Sequence, residues 1–216
     1  MEPSSNNSSP LFLMRTSLSL LTVITIVSAT MQSATAADVK FRFPLTGTPK
    51  YASMYDHDTS SPAVKNYKCG TSNVYDKHQG TDFLADVGII IYAGAKGGLY
   101  YRYDSCNTYG SWTSTCGNGF GNHAKIDHEG SMTDGNGWTS IYAHMKQGTV
   151  VGLASVYCGS KIGQVGSSGK SSAPHLHFEV RKYTYPNNDP FSGSCSGSKS
   201  FWVNQNNGNP TTACQS

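Results

Sequence analysis

The apolar residues of this chain come in short runs, each closed off by glycine or a polar cluster, and that punctuation restricts the folds open to it. The runs are Val87–Ala93, Gly98–Tyr103, His123–His128, Trp138–His144, Val150–Ala154, Lys161–Val165 and His175–Arg181. Runs of this kind between turn residues read as strands, and their spacing is that of a compact antiparallel barrel or sandwich. Val39 to Phe43, ending at Pro44, reads as a first strand, and Leu45 to Asn73 reads as irregular and turn-rich. Only 13% of the 216 residues are Asp, Glu, Lys or Arg, against about one-quarter in ordinary globular domains, which argues against solvated helices. The expected fold class is therefore all-β, a single antiparallel β-sheet barrel or sandwich domain.

The two ends of the chain differ from this middle. Arg15 precedes an apolar stretch from Leu18 to Val27, and the small-residue run Ser33-Ala34-Thr35-Ala36-Ala37 follows. That order reads as a secretory signal over residues 1–36, cleaved near Ala36 or Ala37. The apolar stretch is shorter than the roughly 20 residues that span a bilayer, so no stable membrane anchor is expected after cleavage. Residues 37–183 make up the expected domain. Residues 184–216 read as a tail fastened by a disulfide and by Phe191, Phe201 and Trp202.

Six cysteines follow the signal: Cys69, Cys106, Cys116, Cys158, Cys195 and Cys214. An even count in an exported chain points to disulfides, and no pair has the C-x-x-C spacing of a zinc knuckle. Sequence proximity favours Cys106–Cys116 and Cys195–Cys214, which leaves Cys69–Cys158. The formal charge of +3 suits an anionic surface such as a cell wall. No basic block or motif for nucleic acid is present.

Chemistry is concentrated at three histidine-bearing segments. In His78-Gln-Gly-Thr-Asp82, an imidazole and a carboxylate lie four residues apart, and Gly80 between them argues against a helix. In Pro174-His175-Leu176-His177-Phe178-Glu179-Val180, strand alternation sends His175, His177 and Glu179 to one face and the apolar residues to the other. Two adjacent imidazoles on one face need polar partners if buried, which favours a metal or catalytic site; Glu179 is given no role. In Ser140-Ile141-Tyr142-Ala143-His144-Met145, His144 closes a strand from whose end it can reach the same centre. His57 and His123 are left out, and His128 reads as part of a solvated turn. A hydrolytic zinc site needs three protein ligands and an open fourth position. His78, Asp82 and one histidine of the H-x-H pair meet that count, with the other histidine and His144 free to move protons. Zinc there lowers the pKa of water from about 15.7 to about 7.

The ordered motifs H-x-x-x-D, Y-A-H-M and H-L-H-F-E-V-R resemble the lysostaphin-type (LytM-like) zinc metallopeptidases. Phe83 after the first motif, the apolar strand and glycine turn from Val87 to Gly98, and Gly166-Ser167-Ser168-Gly169 before Ser172-Ala173-Pro174-His175 resemble that family too. The similarity runs from about Lys77 to Arg181. The resemblance implies an antiparallel sheet with a groove and hydrolysis of peptide cross-links in bacterial peptidoglycan. It makes residues 37–183 a catalytic domain. By position, it implies that His78, Asp82 and His177 ligate one Zn2+ per chain, and that His144 and His175 are the catalytic pair. The implied protein is a monomeric enzyme, secreted to the extracellular space or the periplasm, with the peptidoglycan peptide as its partner.

Two features depart from the pattern. Met145 replaces the usual Leu after Y-A-H, and the segment between Cys106 and Cys116, with Tyr103, Tyr109 and Trp112 around it, looks like an insertion beside the groove. One rival reading is a zinc-binding, non-catalytic relative, such as a chemotaxin-like signalling protein. Retention of both His144 and His175 favours an enzyme over it. A second rival is a peptidase for Gly-rich proteins, which the motifs leave open.

Overall fold

The computed structural model describes residues 39–128, 137–182 and 187–215. The signal segment expected over residues 1–36 lies outside the described residues. Among the described residues there are ten strands: β1 (Tyr51–Ser53), β2 (Thr81–Leu84), β3 (Ile90–Tyr92), β4 (Gly97–Tyr103), β5 (Asn122–Asp127), β6 (Trp138–Met145), β7 (Ala154–Val156), β8 (Lys161–Gln164), β9 (His175–Lys182) and β10 (Asn187–Asn188). Helical structure among the described residues is confined to two short 3-10 turns, Cys116–Gly119 and Asn206–Gly208. No helix among the described residues is long and apolar enough to cross a membrane.

The main sheet runs in the order β1-β2-β9-β6-β5-β4-β7, with β10 added beside β9, and every pairing in it is antiparallel. β3 and β8 form a separate antiparallel pair. The fold is thus all-β and antiparallel as expected, with an open sheet in place of a closed barrel. β6 and β9 are its longest members, and alternation explains why β9 sits inside the sheet. Leu176, Phe178 and Val180 have no exposed surface and face the core, while His175, His177 and Glu179 take the other face.

Three expectations about elements are corrected. The run Val150–Ala154 meets a strand, β7, only at its last residue. The stretch Val39–Phe43 is not a ladder strand; it makes one isolated parallel bridge, Phe41 to Trp202, and buries Phe41 and Phe43. β1 lies inside the segment read as irregular, because three residues, of which Tyr51 is the only large apolar one, give no periodic signal.

The tail contributes to the core. Trp202 packs against Phe178 at 5.6 Å, Phe191 at 5.3 Å and Phe83 at 6.1 Å between ring centroids. The backbone pairs Phe41 with Phe201 and Val203, and Phe43 with Thr211. This path also corrects two of the three expected disulfides. Cys106–Cys116 forms, but the other bridges are Cys69–Cys195 and Cys158–Cys214. Neighbours in sequence are not neighbours here, because the tail crosses the domain between its two cysteines. The amide of Cys195 donates to the Tyr67 carbonyl, which places it beside Cys69. Cys214 follows Thr211 to the opposite end, within 4.0 Å of where a Gly159 side chain would begin, beside Cys158.

Replacing Trp202 by Ala is expected to lower the unfolding free energy of the oxidised protein by about 3–5 kcal/mol. An unchanged denaturant midpoint would show that the tail is not part of the cooperative core.

Candidate metal centre

The sheet face opposite the core is organised by register. Asp82 on β2 pairs with His177 on β9, which pairs in turn with Ala143 on β6. Asp82 and His177 are thereby held side by side, with Asp82 Oδ1 2.7 Å from His177 Nδ1. His78 lies before β2 rather than in it. Its approach is fixed by Asp56, whose carboxylate accepts the Lys77 amide and whose own amide donates to the His78 carbonyl. His78 Nε2 then sits 3.2 Å from Asp82 Oδ1 and 3.3 Å from His177 Nδ1. All three residues are buried, and their ligand atoms lie within 4.8 Å of one another. Gly80 is required for this closeness, since a Cβ there would fall 2.6 Å from His177 Cε1.

His144 reaches the centre by breaking a strand rule. Tyr142 faces the core and Ala143 faces His177, so strict alternation would return His144 to the core. The β5–β6 ladder, however, runs from Asn122 opposite Met145 to Ala124 opposite Tyr142. Two residues of β6, Ala143 and His144, thus oppose His123 alone, which is a β-bulge. His144 takes a left-handed φ of 58°, unusual for a residue with a side chain. Its ring comes to 4.7 Å from that of His175 and 5.6 Å from that of His177. The five residues singled out from the sequence, His78, Asp82, His144, His175 and His177, thus converge on one cleft.

The protonation pattern of the rings follows from their outer partners. His78 Nδ1 bonds the Met54 carbonyl at 2.7 Å, His144 Nδ1 the Ser168 carbonyl at 2.7 Å and His175 Nδ1 the Ala173 carbonyl at 2.8 Å. A carbonyl only accepts, so each Nδ1 carries the hydrogen and each Nε2 presents a lone pair. His177 is reversed: its Nε2 donates to Glu179 Oε1 at 2.8 Å and its Nδ1 faces Asp82. Two ring nitrogens and a carboxylate oxygen therefore present lone pairs to one point, a donor set that fits a divalent cation such as zinc.

The electrostatics show protons competing with a cation for these atoms. Burial opposes ionisation of Asp82, but hydrogen bonds from His177 and His78 hold its carboxyl well below the usual range. Burial also lowers the His177 pKa, yet Asp82 and Glu179 outweigh it and raise it to about 10, so without a cation His177 holds a second proton on Nδ1, directed at Asp82, which a bound cation would have to displace. His144 goes the other way. Burial first, then His175 and His177, push it down to about 3, which leaves it unprotonated at neutral pH. Burial likewise lowers His175.

Several contributors were not read from the sequence. Glu179 is buried behind His177, with its second oxygen held by Arg181 Nε at 2.5 Å and Asn187 Nδ2 at 3.2 Å. Its place on the histidine face was legible, but its partner was not. Tyr75 stacks on His78 at 4.3 Å, and Phe120 lies 5.9 Å from His177; both line the cleft. His128 corrects the expectation of a solvated turn: it is 3% exposed. Its Nδ1 donates to the Lys96 carbonyl, and its Nε2 bonds Ser140 Oγ. Its ring lies 5.0 Å from Phe41, so it belongs to the core. His57 pairs with Asp189 at 2.8 Å.

Comparison with known proteins accords with this arrangement. The model of Peptidase family M23 matches residues 76–190. The DD-carboxypeptidase/endopeptidase Mpg of Neisseria meningitidis serogroup B is 33% identical over 126 residues, covering 56% of this chain and 22% of that protein. The peptidoglycan DD-endopeptidase ShyA of Vibrio cholerae is 25% identical over 139 residues, covering 64% of this chain and 26% of that protein. The chain thus spans about a quarter or less of the length of these curated relatives. A crystal structure of a zinc-containing peptidase from Vibrio cholerae shares the fold with a TM-score of 0.50 and 21% identity, over 76% of this chain and 41% of that one. The family match falls on the same motifs that carry the resemblance in the sequence, and the chain belongs to peptidase family M23.

Proposed function

We propose that this chain is a secreted zinc endopeptidase that hydrolyses peptide cross-links of bacterial peptidoglycan. The observation that carries the reading is the convergence of His78 Nε2, Asp82 Oδ1 and His177 Nδ1, with two further unprotonated histidines beside them. His78, Asp82 and His177 hold the metal, and Glu179 fixes His177 so that Nδ1 faces it. Zinc in such a site supplies a Lewis acid for the scissile carbonyl and lowers the pKa of water to about 7. His144 and His175 handle the proton. Each has its Nδ1–H committed to a carbonyl, so either Nε2 is free to take up the one proton released by the attacking water. Once protonated, that Nε2–H is a donor for the developing oxyanion and for the departing amine. Membership of the peptidase family and the names of its relatives, both acting as endopeptidases, support the peptide bond as the target. The three disulfides support an oxidising, extracytoplasmic location, in keeping with a signal over residues 1–36.

His144→Ala is expected to keep its zinc and to lose cleavage by about 10²–10⁴-fold, read by mass spectrometry of muropeptides released from defined cell walls. Full activity in that variant would remove His144 from the mechanism. Glu179→Ala is expected to weaken zinc affinity by about 10–100-fold, measured by competition with a chromophoric chelator. An unchanged affinity would mean that Glu179 does not set the orientation of His177.

A further inference from the structure

Beyond the metal centre, the same sheet face continues as two cross-strand rows. One row reads Tyr103–His123 across β4 and β5, then Ala143–His177–Asp82 across β6, β9 and β2. The next reads Tyr101–Lys125–Ile141–Glu179. The outer part of this floor is aromatic. His123 stacks between Tyr101 at 5.4 Å and Tyr103 at 6.1 Å, and Tyr100 and Tyr101 are each 41% exposed.

Lys125 is the anomaly of this floor. It is half-buried, and its ammonium stands 4.9 Å over the Tyr101 ring. No carboxylate lies within ion-pair distance of it among the described residues: Glu179 is taken by His177 and Arg181, and Asp127, two residues on, makes no pair with it. A partly desolvated ammonium without an ion-pair partner is unfavourable: burial and then Arg181 lower its pKa, and Glu179 only partly offsets them. Lys77 and Lys170 line the rim of the cleft; Lys77 is paired with Asp76 at 3.9 Å, whereas Lys170 makes no ion pair among the described residues. The remaining acids of the centre, Asp82 and Glu179, are both committed to histidines. Lys125 and Lys170 are thus cations without an ion pair among the described residues, and Asp127, two residues beyond Lys125, is an acid without one.

We propose that Lys125, over Tyr101 and beside Arg181, is a subsite for a free carboxylate borne by the peptide substrate. The proposal rests on the peptidase reading above. Lys125 is level with Glu179, two residues along from His177 and two strands away, which puts the two Cα atoms about 12 Å apart. An extended peptide advances about 3.3 Å per residue, so the carboxylate read at Lys125 belongs to a residue about three positions from the bond that is cut. The subsite selects an acidic peptide over a neutral Gly-rich chain, and binds through the ammonium while Tyr101 supports the substrate backbone.

The test uses two synthetic cross-linked muropeptides that differ only in carrying that carboxyl free or as a carboxamide. Binding is measured by calorimetry on the zinc-loaded His144→Ala protein, and cleavage on the wild-type protein. The acid is expected to bind about tenfold to a hundredfold more tightly than the amide. Adding Lys125→Met is expected to shrink that preference to within about twofold, while Lys125→Arg keeps most of it. Equal binding of acid and amide, or a preference that survives Lys125→Met, overturns the subsite. Binding that follows this pattern with no cleavage of either peptide would uphold the subsite and contradict the peptidase reading.

Discussion

Three histidines at the cleft donate Nδ1–H to backbone carbonyls, and His177 donates Nε2–H to Glu179, so the role of each inward nitrogen is decided from behind. The centre depends on these outer bonds more than on contacts among the inner atoms. Without the Met54 carbonyl, His78 could present either nitrogen. Without Glu179, His177 could turn its remaining proton inward and present no lone pair there. The sheet supplies the second half of the constraint. Asp82 and His177 are adjacent because β2 and β9 pair in one register, and a slip of one residue would send Phe83 or Leu176 to the site face and the ligands to the core.

His144 has a different support, because its backbone departs from the strand. The Ser168 carbonyl that holds its ring lies in a loop anchored from several sides. Ser168 Oγ donates to the Met145 carbonyl and accepts the Asn122 amide. Asn122, fully buried, accepts the Cys106 amide and donates to the carbonyls of Cys106 and Met145. The disulfide-closed segment adds backbone bonds from Gly110 to Ser167, from Ser167 to Thr108 and from Ser111 to Gly169. A Cβ at Gly110 would fall 1.9 Å from the Gly169 oxygen, and one at Gly169 would fall 2.2 Å from the Gly121 nitrogen, so these backbones touch only because glycines meet there. The segment between Cys106 and Cys116 is therefore a buttress of the cleft wall.

The sequence carried the strands of strong alternation and the residues of the centre. β9 was legible because polar and apolar positions alternate from His175 to Arg181, and β6 because its largely apolar run is bounded by glycine. The centre was legible because three spaced motifs coincide in order. What was hidden depends on contacts far apart in the chain. The bridges Cys69–Cys195 and Cys158–Cys214 follow the path of the tail, which no local pattern encodes. The inward turn of His144 comes from a bulge against β5, and parity alone would have placed it in the core. His128 looked solvated because Asp127, Glu129 and Gly130 surround it, yet Phe41 from the other end of the fold covers its ring.

The central claim is that His78, Asp82 and His177 alone bind the metal, with His144 and His175 left free for protons. Diffraction from zinc-loaded crystals at the zinc absorption edge tests it directly. The account predicts one anomalous peak per chain, about 2.0–2.2 Å from His78 Nε2, Asp82 Oδ1 and His177 Nδ1. A peak ligated by His144 or His175 in place of one of these, or by His177 through Nε2, would contradict it.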